Sequence, residues 1–229
     1  MSNPLETPAS PDSSESPKGY TIDVVSDVVC PWCYIGKRKL EAALAMPEAK
    51  ALGPVTVRWH PFQLNPDLPA QGISRQQYLA DKFGGAERAE QIYERVRAAG
   101  KAAGLQLNID EIELQPNTLA AHALLAFAQE KQGDASTVKE AILKAYFVDG
   151  HFIGDVEVLC DIAQGCGLDP DGARAYINEP STLQKVSQAD ARARAQGIQG
   201  VPFFIFNGKT AVSGAHDPQV LMQAMQQAL

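Results

Sequence analysis

The stretch "DVVCPWCYIGKRKLEAAL", residues 27 to 44, joins two periodicities through a pair of cysteines. Upstream, "GYTIDVVSDVV" (Gly19 to Val29) is rich in β-branched residues and reads as a buried strand. Downstream, "PWCYIGKRKLEAALAM" has Pro31 at a favourable first helical position and good helix formers as far as Met46, with Pro47 at the stop. Cys30 therefore falls at a helix N-cap and Cys33 one turn further in. The chain must pass from buried strand to helix where two thiols share one side.

The remaining pattern shows what surrounds this joint. "PVTVRWHPF" (Pro54 to Phe62) alternates Val55, Val57 and Trp59 with Thr56, Arg58 and His60, giving a second strand. From Ser74 to about Gln196 the signal is almost wholly helical. Ser74 resembles the start of a capping box, and Leu119, Ala120, Ala123, Leu124, Phe127 and Ala128 make one apolar face. Val138, Ile142 and Tyr146 repeat that spacing, and further helices are expected near Asp155, Asp169 and Ser181. "VPFFIFNGKTAVSG" then reads as a hairpin around Asn207-Gly208, followed by a closing helix in "DPQVLMQAMQQAL". Without the helical block the order is β-α-β-β-β-α. This predicts an α/β thioredoxin-like fold with a large inserted all-helical domain, divided as 19–73 and 197–229 for the thioredoxin-like part and 74–196 for the insert.

Composition excludes some classes of function. The net charge of -7 and pI near 5.1 argue against nucleic acid as a partner, since phosphate binding relies on clustered Lys and Arg. No apolar run approaches the roughly 18 residues of a membrane span. The opening "MSNPLETPASPDSSESP" has neither a positive n-region nor an apolar h-region; residues 1–18 read as a disordered tail, and the expected compartment is the cytoplasm. In that compartment a cysteine pair is more often catalytic or metal-binding than structural.

Three readings of Cys30-Pro31-Trp32-Cys33 are open: a redox dithiol, half a metal site, or two idle thiols. Cysteines at i and i+3 in a first helical turn fall in the roughly 4.4–6.8 Å Cα window of a disulfide. The unpaired N-H groups and dipole of a helix N-terminus favour the thiolate of Cys30 over its free value of about 8.5. Cys33, further in, gains less. The asymmetry makes Cys30 an exposed nucleophile and Cys33 the resolving thiol. A closed zinc site needs four ligands, and the chain has neither a second Cys-x-x-Cys nor a His-x-x-x-His.

"CPWCYIGK", "WHPFQLNPDLP" and "GIQGVPFFIFNGKTAVSGA" together resemble the DsbA family of thioredoxin-fold proteins, and most closely its cytosolic FrnE-like branch. The resemblance spans about residues 19 to 229. It implies that Val201-Pro202 is the family's cis-proline loop, which packs beside the Cys-x-x-Cys and offers substrate the backbone of the residue before Pro. It also implies thiol-disulfide exchange with protein or peptide thiols or with glutathione, and Pro31, Trp32, Val201 and Pro202 as the substrate-binding residues. Trp32 departs from the Pro-His of the best-known periplasmic members. Lacking an imidazolium, the pair is expected to be a less oxidising couple than theirs, within the range of about -270 to -120 mV spanned by thioredoxin folds. The related hydroxychromene-carboxylate isomerases and kappa-class glutathione transferases carry Ser in place of Cys30. They supply the alternative of a glutathione-dependent isomerase or transferase for a small aromatic substrate, and a non-enzymatic binding module is a third.

Other residues carry weaker signals. Asp27 is either a solvated strand-end residue or a carboxylate that raises the thiol pKa and moves protons. Lys37 and Arg38 read as solvated in preference to thiolate partners, Trp32 and Tyr34 read as an apolar rim for substrate or as packing against the insert, and Asp27, Tyr34 and Lys37 are the candidate modulators of the pair. Cys160 and Cys166 are too far apart along a continuous helix to bridge, about 9 Å for six residues. The resemblance nevertheless leaves them open as auxiliary thiols. His60, His122, His151 and His216 read as surface or packing residues. No metal and no tightly bound cofactor is expected, because a dithiol carries two electrons itself.

Overall fold

The computed structural model describes residues 19–131 and 134–229; the segment read as a disordered tail lies outside the described residues. Strand β1 (Tyr20–Ser26) leads into helix α1 (Pro31–Leu44), and a 3-10 turn (Pro47–Leu52) returns the chain to strand β2 (Val55–Pro61). Strand β3 (Ile73–Ser74) is followed by helices α2 (Arg75–Phe83) and α3 (Ala86–Ala102). Strand β4 (Leu114–Gln115) precedes α4 (Leu119–Glu130), α5 (Ala135–Phe147), α6 (Val156–Gly165), α7 (Pro170–Asn178) and α8 (Pro180–Ala195). Strands β5 (Phe203–Phe206) and β6 (Thr210–Ser213) and helix α9 (Pro218–Gln227) complete the chain.

The main sheet has the order β2-β1-β5-β6, with β1 parallel to β2 and antiparallel to β5, and β5 antiparallel to β6. This is the thioredoxin-like fold read from the sequence, with the helical block between β2 and β5. The central strand β1 alternates only at its start and is buried throughout Val24–Ser26, because helices cover both faces where it approaches the cysteines. The Asn207-Gly208 turn closes as expected: both residues have positive φ, 48° and 67°, and Lys209 N-H donates to Phe206 O at 2.9 Å. Asn207 also ties the hairpin inward, accepting from Thr21 N-H at 2.9 Å and donating to Ala228 O at 3.1 Å.

Helix starts follow their caps. Ser74 Oγ accepts from Gln77 N-H at 3.1 Å, and the carboxylates of Asp155 and Asp169 accept from Glu157 and Asp171 N-H. Glu179, and not Ser181, caps the next helix, with Pro180 at its first position. The expectation of an entirely helical middle is corrected by β3 and β4, which pair antiparallel through Ile73↔Gln115 and Ser74↔Leu114. Two residues per strand are too few to leave a period-2 signature.

The helical block and the sheet share one apolar core. Ile22, Trp59, Leu124, Ile142, Tyr146, Phe204 and Met225 belong to one contiguous buried cluster, each large side chain contributing roughly 1.5–3 kcal/mol by burial. A smaller cluster of Val25, Phe62, Ala193 and Ile198 supports Leu64, Val201 and Phe203, so that α8 braces the loops around the cysteines. No helix among the described residues is long and apolar enough to cross a membrane.

Candidate active site

Cys30 is the N-cap of α1, with extended backbone (φ -94°, ψ 112°) and Pro31 in the first helical position. Its carbonyl accepts from Cys33 N-H at 3.0 Å and Tyr34 N-H at 3.3 Å, which fixes the first turn and sets both thiols on one side. The sequence suggested an exposed nucleophile. Cys30 instead retains 4% of its surface and Cys33 1%, and the loop before β5 lies against Cys30. That loop contains the cis peptide Val201-Pro202, and the Cys30 thiol lies 3.7 Å from Val201 O, donating to it. Pro202 is buried and Val201 half-buried, while Trp32 is the exposed member of the motif at 39% and Pro31 is intermediate.

The two thiols differ in acidity. Hydrogen bonding from the Cys33 thiol holds Cys30 below its ordinary value, helped by the Cys33 and Trp32 backbone N-H groups and opposed by burial and the Asp27 charge. Cys33 is pushed well above its ordinary value, first by burial and then by Cys30. One thiol is thus readied as a thiolate and the other kept protonated, the division inferred from helix position alone.

Beneath the pair lies a buried polar cluster. Asp27 has no exposed surface, correcting the reading of a solvated strand-end residue. One of its oxygens accepts from Val28 N-H at 2.8 Å and meets His122 Nε2 at 3.2 Å; the other accepts from Leu64 N-H at 2.7 Å. Burial pushes its carboxyl up, but the His122 hydrogen bond and charge, Leu64 N-H and the Lys139 charge together bring it below the ordinary value. The "WHPFQLNP" motif therefore serves the cysteines through its backbone. Gln63 N-H donates to Asp190 at 2.7 Å, and Arg194 donates to Gln63 O and lies 4.1 Å over the Phe62 ring, so α8 presents Leu64 N-H to Asp27.

The reading of Lys37 and Arg38 as solvated is corrected. Lys37 is buried, 3% exposed, because Glu140 of α5 at 2.8 Å and Glu41 receive its ammonium; Arg38, read with it as solvated, is half-buried and also pairs with Glu140. Of the two readings of Tyr34, packing against the insert is the one found: it is 2% exposed, packs against Phe147 and donates to Glu140 at 2.6 Å. His122, read as a packing residue, joins the site through Asp27. Lys139, fully buried on α5, was missed because the ring its amine lies over, Trp59 at 5.5 Å, belongs to strand β2 and is far from it in sequence.

Cys160 and Cys166 are free thiols at the middle and C-cap of α6. Burial and surrounding acidic residues push both above their ordinary values. No group of three or more His, Cys, Asp or Glu among the described residues is placed to hold a metal ion.

The arrangement matches known proteins. Residues 21–226 match the family model of the DSBA-like thioredoxin domain. The protein YwbO of Bacillus subtilis is 28% identical over 206 residues, covering 89% of this chain and 94% of the relative. The crystal structure of a "probable DsbA oxidoreductase" from Streptomyces coelicolor superposes with a TM-score of 0.81 at 30% identity, over 91% of this chain and 89% of that one. The cytosolic disulfide reductase DsbM of Pseudomonas aeruginosa, solved with glutathione, shares the fold at a TM-score of 0.60 and 18% identity, over 91% and 95% of the two chains. With its dithiol at the N-terminus of α1 facing a cis-proline loop, the chain belongs to the DSBA-like thioredoxin-domain family of oxidoreductases.

Proposed function

We propose that the protein catalyses thiol-disulfide exchange through Cys30 and Cys33, with protein or peptide thiols or glutathione as partners. The observation that carries this reading is the Cys30 thiol lying 3.7 Å from Val201 O, the carbonyl before cis-Pro202, with Cys33 one helical turn behind it. A substrate strand laid along the Val201 backbone would bring its sulfur to Cys30. Cys30 attacks as thiolate, a mixed disulfide forms, and Cys33 displaces the substrate thiol. Val201, Pro31 and the exposed Trp32 form the bordering surface, and no bound metal or organic cofactor is required. Glutathione enters as a substrate because DsbM, which shares this fold, is solved with it.

Two measurements test the reading. The wild-type protein is expected to accelerate insulin reduction by dithiothreitol, and Cys30→Ser to abolish the acceleration; no acceleration by wild type would overturn the reading. With Cys33→Ala, the mixed disulfide should persist, and the mass of the adduct then identifies glutathione or a protein as the captured partner.

A further inference from the structure

Arg75 opens α2 and is only 9% exposed, yet every hydrogen-bond partner of its guanidinium among the described residues is neutral. It donates to Gln115 Oε1, to the Tyr93 hydroxyl at 2.6 Å and to the Tyr146 hydroxyl at 3.5 Å. A buried guanidinium without an anion is destabilising unless something offsets its charge. Its central carbon lies 5.1 Å from the Tyr78 ring centre and 5.3 Å from that of Tyr93, an attraction that offsets part of the charge but offers the N-H groups no oxygen. Arg75 Nε has no acceptor, and neither has the buried Nε2 of Gln115. The Tyr93 hydroxyl accepts from Arg75, and its own proton has no acceptor among the described residues. Burial pushes that hydroxyl up to about 12, so the proton stays on it at neutral pH. The cluster is rich in donors, poor in acceptors and positively charged.

Arg75 and Tyr93 line a cavity of about 200 Å³ between α2, α3 and the 3-10 turn Ile109–Glu111. Leu79, Ala89, Ile109 and Ile112 give it an apolar wall. Glu90 and Asp110, whose side chains are 59% and 75% exposed, mark its mouth. We propose that this cavity binds a small aliphatic monocarboxylate, with the carboxylate on the Arg75 guanidinium and the Tyr93 hydroxyl and the hydrocarbon against the apolar wall. The planar guanidinium fork matches a carboxylate, and the charge that the protein leaves unpaired is the charge the ligand brings. The proposal goes beyond the thiol-disulfide reading and does not depend on it.

The charges around the cavity select among ligands. At the mouth, Arg97 pairs with both Glu90 and Asp110, so two carboxylates share one guanidinium and the rim is negative. A dicarboxylate reaching from the floor to the rim would set its second charge against that rim. A cation would be drawn to the rim but repelled by Arg75 beneath it. A neutral molecule of the same shape would leave the guanidinium as uncompensated as before. A role for Arg75 in bracing α2 against α3, β4 and α5 is met by the bonds to Tyr93, Gln115 and Tyr146 already made. Bracing does not account for the unused donors or for the cavity beside them.

Titration calorimetry of the full-length protein at pH 7 and fixed ionic strength tests the proposal, with butyrate as the probe and butyramide, butylamine and succinate as its neutral, cationic and dianionic counterparts. Butyrate should bind saturably, and each counterpart at least about tenfold more weakly. Arg75→Gln, which keeps a polar side chain but removes the charge, should weaken butyrate about ten- to a hundredfold, and Tyr93→Phe, which keeps the ring, by about threefold to tenfold. No saturable binding of butyrate by wild type, equal binding of butyrate and butyramide, or an affinity unchanged in Arg75→Gln would overturn the proposal. Should Arg75→Gln fail to fold, the wild-type series and Tyr93→Phe decide: a preference for butyrate that weakens in Tyr93→Phe supports the site, and a preference untouched by that substitution rejects it. The insulin assay is independent of these titrations, so failure of the exchange reading and failure of this site are read separately.

Discussion

Gly36 of α1 touches the cis-proline loop directly: a Cβ built on it would stand 2.8 Å from Pro202 Cγ, with Phe204 Cζ behind at 3.2 Å. Glycine in a helix interior is unfavourable by about 1 kcal/mol relative to alanine, so its presence here answers a packing requirement. The Pro202 ring is rigid and cannot swing aside. Gly36→Ala should therefore lower stability by about 1–3 kcal/mol through overpacking despite the gain in helix propensity. It should also displace Val201 O from Cys30 and slow mixed-disulfide formation. Urea denaturation and the rate of reaction with oxidised glutathione check both effects, and a variant more stable than wild type would show that the contact relaxes freely.

Trp32 stands 39% exposed between the two cysteines, so the position has room for another ring without disturbing the core. Trp32→His places an imidazolium beside Cys30 and should lower its pKa. Stabilising the thiolate stabilises the reduced pair, so the potential should rise, by about 30 mV for each pKa unit of about 1.4 kcal/mol. Equilibration with a glutathione redox buffer measures the shift, and a potential unchanged or more negative in the variant would count against a control of acidity by this residue.

The Asp27 charge raises Cys30, so Asp27→Asn should move the midpoint of Cys30 alkylation to lower pH. Its effect on stability has a defined sign. Burial pushes the Asp27 carboxyl up, but hydrogen bonding and charge from His122 bring it, on balance, below 3.8 in the folded protein. A carboxyl depressed on folding contributes stability that is present above its unfolded value and lost as the pH falls through the folded one. Asp27→Asn should thus be destabilising at neutral pH, with the gap to wild type narrowing below about pH 4. Urea midpoints across pH check this, and a gap that widens in acid would refute it.

What the sequence disclosed was local. Cys30 at the N-cap, Pro31 after it, the Asn207-Gly208 turn and the caps at Ser74, Asp155 and Asp169 each depend on neighbours within a few residues. The periodicities around them carried the order of strands and helices, and hence the fold. The polar cluster under the thiols has no such signature. Asp27 meets His122 across 95 positions, and Lys139 borders an apolar stripe of Val138, Ile142 and Tyr146 in the way that many solvated lysines do. Its burial follows from α5 being packed against α1, β2 and α4 together. Gly36 likewise looks like a weak helix residue until Pro202 is seen against it. Lys37 reads as solvated because its acidic partner Glu140 lies on another helix.

Glu140 joins the inserted helices to α1. It accepts from Tyr34 OH at 2.6 Å and Lys37 Nζ at 2.8 Å, and also receives the Arg38 guanidinium. The Lys37 side chain is 4% exposed and Glu140 25%, so the pair is only partly screened by water. Glu140→Ala would leave a buried ammonium with Glu41 alone and the Tyr34 hydroxyl without its acceptor. The expected loss is about 1–3 kcal/mol, less than for a fully buried pair because Glu140 reaches solvent and Glu41 remains. Glu140→Gln keeps an acceptor for Tyr34 but not the charge for Lys37 and should fall between wild type and alanine. Because the lysine is buried, the difference between wild type and Glu140→Ala should survive added salt, unlike that of an exposed pair. Urea denaturation of the three proteins at low and high ionic strength measures the ordering; a loss that vanishes in salt would mean that the bridge is a surface contact and that apolar packing alone holds α5 against α1.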